Sequence, residues 1–169
     1  MTAEIVDGGE VSMSSFTAVD PDFESRIRAS FGAQQVMQTL GARLEGVAPG
    51  EFRIELPFNP ALTQQHGFLH AGILGIIVDS ACGYAAYTLM PADSEVLSVD
   101  YKINFLAPAR GQSFTAIGRV IKPGRTLTVC AGEAWAHAGA EPKLVAAMQA
   151  TMICVPKSQP AGPVIDSGG

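Results

Sequence analysis

From Gln64 to Met90 the chain reads QQHGFLHAGILGIIVDSACGYAAYTLM, and beyond His70 it runs for twenty residues with no Lys or Arg and one carboxylate, Asp79. Ile73, Leu74, Ile76, Ile77, Val78, Ala81, Tyr84, Tyr87 and Leu89 leave no polar face, so a helix here must be covered on nearly all sides. Downstream the period changes from helical to two. Leu97, Val99, Tyr101, Ile103 and Phe105 alternate with Ser98, Asp100, Lys102 and Asn104, which predicts a strand with one buried face. Turns at Pro108–Gly111, Lys122–Arg125 and Ala138–Pro142 separate three more strands, Ser113–Ile121, Thr126–His137 and Leu144–Val155.

Upstream, Asp20-Pro21 looks like an N-cap followed by a first-turn proline, with Phe23, Ile27 and Phe31 at helical spacing and Gly32 closing the segment. A second short helix is expected over Gln34–Leu40, ending at Gly41. Two strands, from Arg43 to Val47 and from Glu51 to Leu56, then precede the loop into the apolar helix. Residues 1–19 read as a flexible arm, 20–156 as one domain and 157–169 as a flexible tail. The fold class is α+β: an antiparallel sheet, its last four strands in meander order, wraps one long central helix that has nothing else to cover it.

Hydrophobic residues make up 47% of the chain and charged residues 16%, an apolar balance that points to surface buried between subunits. A net charge of −5 and a pI near 5.1 argue against nucleic acid or an anionic membrane as partner. A membrane span at Ala71–Met90 is also rejected, because Asp79 sits near its middle and no basic residues flank it. Cys82, Cys130 and Cys154 are odd in number and far apart, which fits buried thiols in a reducing compartment better than a disulfide framework or a metal cluster. The N-terminus shows neither a basic region nor an apolar one of a secretory signal, so a cytoplasmic location is expected.

Asp79 needs an explanation, since a charge on an apolar helix is costly unless compensated. On a helix of 3.6 residues per turn it shares a side with Gly72, Gly75, Gly83 and Ala86. That side has almost no bulk, so it is either a tight packing seam or a track along which an extended ligand meets one reactive group. The second reading gains from what precedes it. The amides of Ala71 and Gly72 fall where N–H groups lack intrahelical partners, an end suited to stabilising an oxyanion.

At this point the sequence resembles the hotdog-fold acyl-CoA thioesterases of the phenylacetic-acid-degradation type, over about Gly41 to Val155. The signature is Asn or Gln, then Gly, then His-Gly-Gly opening the helix, then an acidic residue nine after the His; here it reads Gln64, Gly67, His70-Ala71-Gly72 and Asp79. The strand SVDYKINFLAPA from Ser98 and the turn Gly124-Arg125-Thr126 extend the likeness. The resemblance implies that Asp79 is the general base or the nucleophile and that the amides of Ala71 and Gly72 polarise the thioester carbonyl. It implies that Gln64 holds the carbonyl or the lytic water and that His70 supports the oxyanion loop. Substrate would lie against Gly67, Gly83 and Ser98, with Gly124, Arg125, Thr126 and also Arg110 near the CoA phosphates. No metal or cofactor is implied, CoA being part of the substrate. Family members form homodimers or homotetramers whose sites are shared across a dimer interface.

Two positions depart from the pattern. Ala71 replaces the first Gly of the usual pair, and Gly83 stands where relatives often carry the Ser or Thr that orients water, leaving Ser80 or Ser98 as substitutes. The rival functions are an acyl-CoA-binding protein without hydrolysis, which needs no acid at Asp79, and an acyl-CoA hydratase, whose Asp–His motif of different spacing is not found. Cys82 as a nucleophile with His66 or His70 is weighed against inert packing, and packing is favoured. Glu133 and His137 are expected to be paired or at the surface, and Trp135 in the core or an interface. The acyl group is read as aryl or medium-chain, from the bulk of Phe68, Leu69, Tyr84, Tyr87, Phe23, Ile27 and Phe31.

Overall fold

The computed structural model describes residues 16–157; the expected arm up to Ser15 and the tail beyond Lys157 lie outside them. Phe16, expected within the arm, packs against the core beside Gly50. The elements in order are α1 (Phe23–Ala33), α2 (Gln35–Leu40), β1 (Arg43–Ala48), β2 (Glu51–Pro57), a 3-10 turn (Pro60–Leu62), α3 (Ala71–Tyr87), β3 (Ser94–Phe105), β4 (Ser113–Lys122), β5 (Leu127–His137) and β6 (Lys143–Pro156). The strands form one antiparallel sheet in the order β1-β2-β4-β5-β6-β3. It curves around α3, whose residues from Ile77 to Tyr87 are almost all buried.

The sheet meets α3 most closely where β4 and β5 carry glycines opposite one another, Gly118 and Gly132. A Cβ on Gly118 would stand 2.3 Å from the Ala81 backbone, and one on Gly132 would stand 2.5 Å from Val78. The missing side chains make the trough in which the helix lies. Inward-facing Phe52, Ile54, Phe114, Ala116, Ala134, Val145 and Met152 complete a dry core around it. Burying such side chains is worth about 1.5–3 kcal/mol each before the entropy of ordering them is counted.

The two short helices cover the C-terminal half of α3. Phe31, Phe52 and Tyr84 form an aromatic cluster with ring centroids 4.9–5.6 Å apart. Arg26 clamps the contact: it pairs with Asp20 at 2.9 Å, donates to the Met90 carbonyl at 3.0 Å, and stacks 4.2 Å from the centre of the Tyr87 ring. Asp20 is not the N-cap expected from the sequence: the N-cap is Asp22, and Pro21 lies before the helix rather than in its first turn. The Asp20 carboxylate accepts the Asp22 N–H and holds Arg26, and α1 starts at Phe23 and runs to Ala33, past Gly32. Gly41, at φ +72°, ends α2 as expected.

Two expectations about the strands are corrected. The last four strands are not a simple meander, because β3 crosses the whole sheet to pair with β6 and leaves β4 to pair with β2. The chain leaves α3 at the far end of the sheet, and β3 forms there. Nor is the apolar face of β3 buried: Leu97 is 56% exposed, Val99 54%, Tyr101 49% and Phe105 50%. As the edge strand, β3 has one side of its backbone unpaired by another strand and a bulge between Ser98 and Asp100; Ile103 packs against the core, while Leu97, Val99, Tyr101 and Phe105 stay about half exposed.

Candidate active site

Asp79 sits on the side of α3 that the sheet leaves open, half-buried, one turn before Gly83. Ser98 on β3 donates a hydrogen bond to Asp79 Oδ1 at 2.8 Å. Burial raises the Asp79 carboxyl above its ordinary value of 3.8, while the Ser98 hydrogen bond pulls in the other direction. A cavity of about 280 Å³ opens beside it, lined by Asp79, Ser80, Gly83, Tyr84, Glu95 and Ser98, together with Ser30 and Gln34 from the N-terminal helices. A Cβ added at Gly75 or Gly83 would meet nothing within 4 Å among the described residues, so this part of the glycine side of α3 is open in the single chain.

The start of α3 forms a second, separate feature. Gln64 opens a tight turn closed by the Gly67 N–H to Gln64 O bond at 3.0 Å, with Gly67 in the left-handed region at φ +78°. The Gln64 side chain folds back so that its Oε1 accepts the His66 N–H, leaving its Nε2 group to donate. His70 is the N-cap, and its Nδ1 accepts the Gly72 N–H at 2.9 Å, so that amide is already engaged. To accept, Nδ1 must carry no proton, which leaves the proton of the neutral ring on Nε2. The exposed Ala71 N–H has no hydrogen-bond partner among the described residues. Gln64, Phe68, Leu69 and Ala71 border a cavity of about 460 Å³ with Phe105 and Leu106.

These halves do not meet within one chain. Eight residues of helix, at 1.5 Å each, separate Ala71 from Asp79 by about 12 Å, and their cavities share no residue. The basic residues divide in the same way. Arg125, with Gly124 and Thr126, lies in the exposed β4–β5 turn, whose Thr126 carbonyl accepts the N–H of Cys154, the β6 partner of Val96 beside the Asp79 cavity. Arg110 lies at the other end of β5, its guanidinium 4.4 Å from the centre of the Phe68 ring, next to the start of α3. A single cluster of Arg110 and Arg125 is therefore not formed in one chain.

The remaining expectations resolve individually. Cys82 is fully buried, and burial pushes its thiol far above the ordinary range; Cys130 is raised to about 12, so both behave as packing groups. Glu133 accepts from Arg119 and from Trp135 Nε1, both at 3.2 Å, on the outer face of the sheet, and His137 Nε2 lies 2.9 Å from Thr115 Oγ1. Of the apolar residues expected around the acyl group, Tyr84 and Tyr87 line the Asp79 cavity. Ile27 and Phe31 are in the core, and Phe68 and Leu69 border the other cavity. Sequence reasoning missed Ser30 and Gln34. Their spacing of four puts them on one helical face, a signal hidden by attention to the apolar residues between them.

Residues 66–143 match the thioesterase superfamily. The chain is 48% identical to a thioesterase family protein from Silicibacter pomeroyi, whose crystal structure superposes with a TM-score of 0.78 over 79% of this chain and 98% of that one. It is 33% identical over 105 residues to a Saccharolobus solfataricus protein provisionally named an esterase, a span of 62% of this chain and 69% of the relative. The E. coli PaaI protein from the phenylacetic acid degradation operon shares the fold, with a TM-score of 0.72 over 81% of this chain and 96% of that one at 18% identity. With the sheet wrapped around α3, these likenesses identify the architecture as the hotdog fold, and the chain belongs to the thioesterase superfamily.

Proposed function

We propose that the protein hydrolyses the thioester of an aryl or medium-chain acyl-CoA, with Asp79 as the general base. The observation that carries this is Asp79 itself: a half-buried carboxylate at the wall of a cavity, oriented by Ser98 and made more basic by burial. Asp79 takes a proton from water as the water oxygen bonds to the thioester carbon. The carbonyl oxygen becomes an oxyanion and accepts the Ala71 N–H, at a helix start whose dipole favours negative charge. The intermediate then collapses, the carbon–sulfur bond breaks, and the thiolate leaves with the proton from Asp79 as free CoA. Gln64, through Nε2, supports the carbonyl or the water.

The separation of the two halves favours a site built from two copies of the chain. Joining copies through β3 would pair the open edge and cover Leu97, Val99, Tyr101 and Phe105. Asp79 of one copy would then face the Ala71 amide and Gln64 of the second. Arg125 and Arg110, which lie beside opposite halves, would both border the assembled site, where CoA phosphates need cations. Release of thiol from a panel of aryl and aliphatic acyl-CoAs tests the reading. Turnover of at least one ester supports it, and CoA binding without release contradicts it in favour of a binding protein.

A further inference from the structure

The middle of β3 carries two charges whose placement is complementary to a second copy of the same strand. Residues opposite one another in an antiparallel pair share a face of the sheet. Tyr101, Ile103 and Phe105 stand opposite Ala150, Met148 and Ala146, whose side chains are buried, so they lie on the inner face. Asp100 and Lys102 stand opposite Thr151 and Gln149 and line one groove with them on the outer face. Both charges are exposed. Lys102 donates to Asn104 Oδ1 at 3.0 Å, and Asp100 has no ion-pair partner among the described residues.

Two copies related by a two-fold axis pair each residue reciprocally. With the axis at Tyr101, Asp100 of each copy stands opposite Lys102 of the other. An axis at Asp100 or at Lys102 sets that charge against its own copy. An axis at Ser98 or at Ile103 leaves Asp100 without a counter-charge. Charge therefore selects Tyr101.

The same register completes the site. Val99 is the extra residue of the bulge, so beyond Asp100 the pairs run Ser98 with Ile103 and Val96 with Phe105 of the second copy. Val96 lines the cavity of Asp79, and Phe105 lines the cavity of Ala71 and Gln64. Two charges on the outer face thus choose the register that joins the half-sites on the inner one.

We infer that Asp100 and Lys102 are positioning residues that pair across a two-fold axis at Tyr101 and fix the register in which two β3 strands join, bringing Asp79 of one copy to the Ala71 amide of the other. The inference rests on the two-copy reading of the site and deepens it by naming what sets the contact.

The test uses the full chain. Tyr101→Cys puts a thiol on the axis, within disulfide reach of its own copy, whereas Asn104→Cys leaves the two thiols about 20 Å apart. Mild oxidation should cross-link Tyr101→Cys at least about tenfold faster, with the wild type as background for the native cysteines. Asp100→Lys and Lys102→Asp should each weaken self-association about tenfold in Kd, because both pairs become like charges. Mixed in equal amounts, the two variants should associate with one another as tightly as the wild type does with itself. Faster cross-linking of Asn104→Cys, or a mixture that associates no better than its components, overturns the inference. A wild type that stays monomeric overturns it together with the two-copy site. Dimers of this register that release no thiol from any ester overturn the thioesterase reading and leave the register standing.

Discussion

Ser98 Oγ donates to Asp79 Oδ1 at 2.8 Å, joining the edge strand β3 to the open side of α3. The same hydroxyl lies 3.5 Å from Met152 Sδ on β6, and β3 bulges just beyond it. Ser98, one of the two serines named as substitutes for the water-orienting hydroxyl that Gly83 lacks, thus bonds the carboxylate itself. The bond favours the ionised acid, so its loss raises the Asp79 pKa further. In Ser98→Ala the acid limb of the kcat/KM profile should move to higher pH than in the wild type, whose own limb lies above 3.8. An unmoved limb would show that the bond does not act on the reacting carboxylate.

Gly83 faces open space in the same cavity, whereas Gly118 faces the Ala81 backbone at 2.3 Å. Gly83→Ala should stabilise the fold by about 0.5–1 kcal/mol, as an alanine does in a helix interior. Gly118→Ala should destabilise it by about 1–3 kcal/mol or more, through overpacking against a backbone that cannot move aside. Gly83→Ser should likewise fold and place a second hydroxyl one helical turn from Asp79. Denaturant melts of the three variants check the order.

The Ala71 amide can be removed with little other change. Ala71 is the first residue of α3, where proline is favoured, and His70 before it has φ −63° and ψ 136°, a conformation that suits a following proline. Ala71→Pro should therefore melt close to the wild type but lose about 10²–10³-fold in kcat, the weight of one oxyanion donor. A variant that keeps its rate moves the oxyanion site elsewhere.

If each site takes Asp79 from one copy and the Ala71 amide from another, two inactive variants can rescue each other. Asp79→Asn and Ala71→Pro chains, unfolded, mixed in equal amounts and refolded, should regain about a quarter of the wild-type activity, because half the dimers are mixed and each carries one intact site. Activity no higher than that of the separate variants would place the whole site within one chain.

Much of this was legible in the sequence, for reasons that differ by element. The buried helix and the strands follow from local periodicity, and Asp79 was conspicuous because a carboxylate on an apolar helix demands a cause. The position of β3 at the sheet edge was not legible, since alternation shows that one face is apolar without showing what covers it. The Gly72 amide was expected to be free, yet His70 caps it; an acceptor ring immediately before a helix was the available sign.

Whether Asp79 removes the proton from the attacking water is tested most directly by thiol release from Asp79→Asn beside the wild type. Folding must be checked in parallel, and its sign is fixed. Burial raises the carboxyl on folding, so the ionised group costs stability above the raised pKa, and that cost disappears as the pH falls below 3.8. Asp79→Asn should therefore melt higher than the wild type near neutral pH and close to it in acid. This folded variant should lose about 10²–10⁴-fold in kcat on every ester the wild type hydrolyses, the contribution of a positioned base. A folded Asp79→Asn that releases thiol at the wild-type rate would contradict that role.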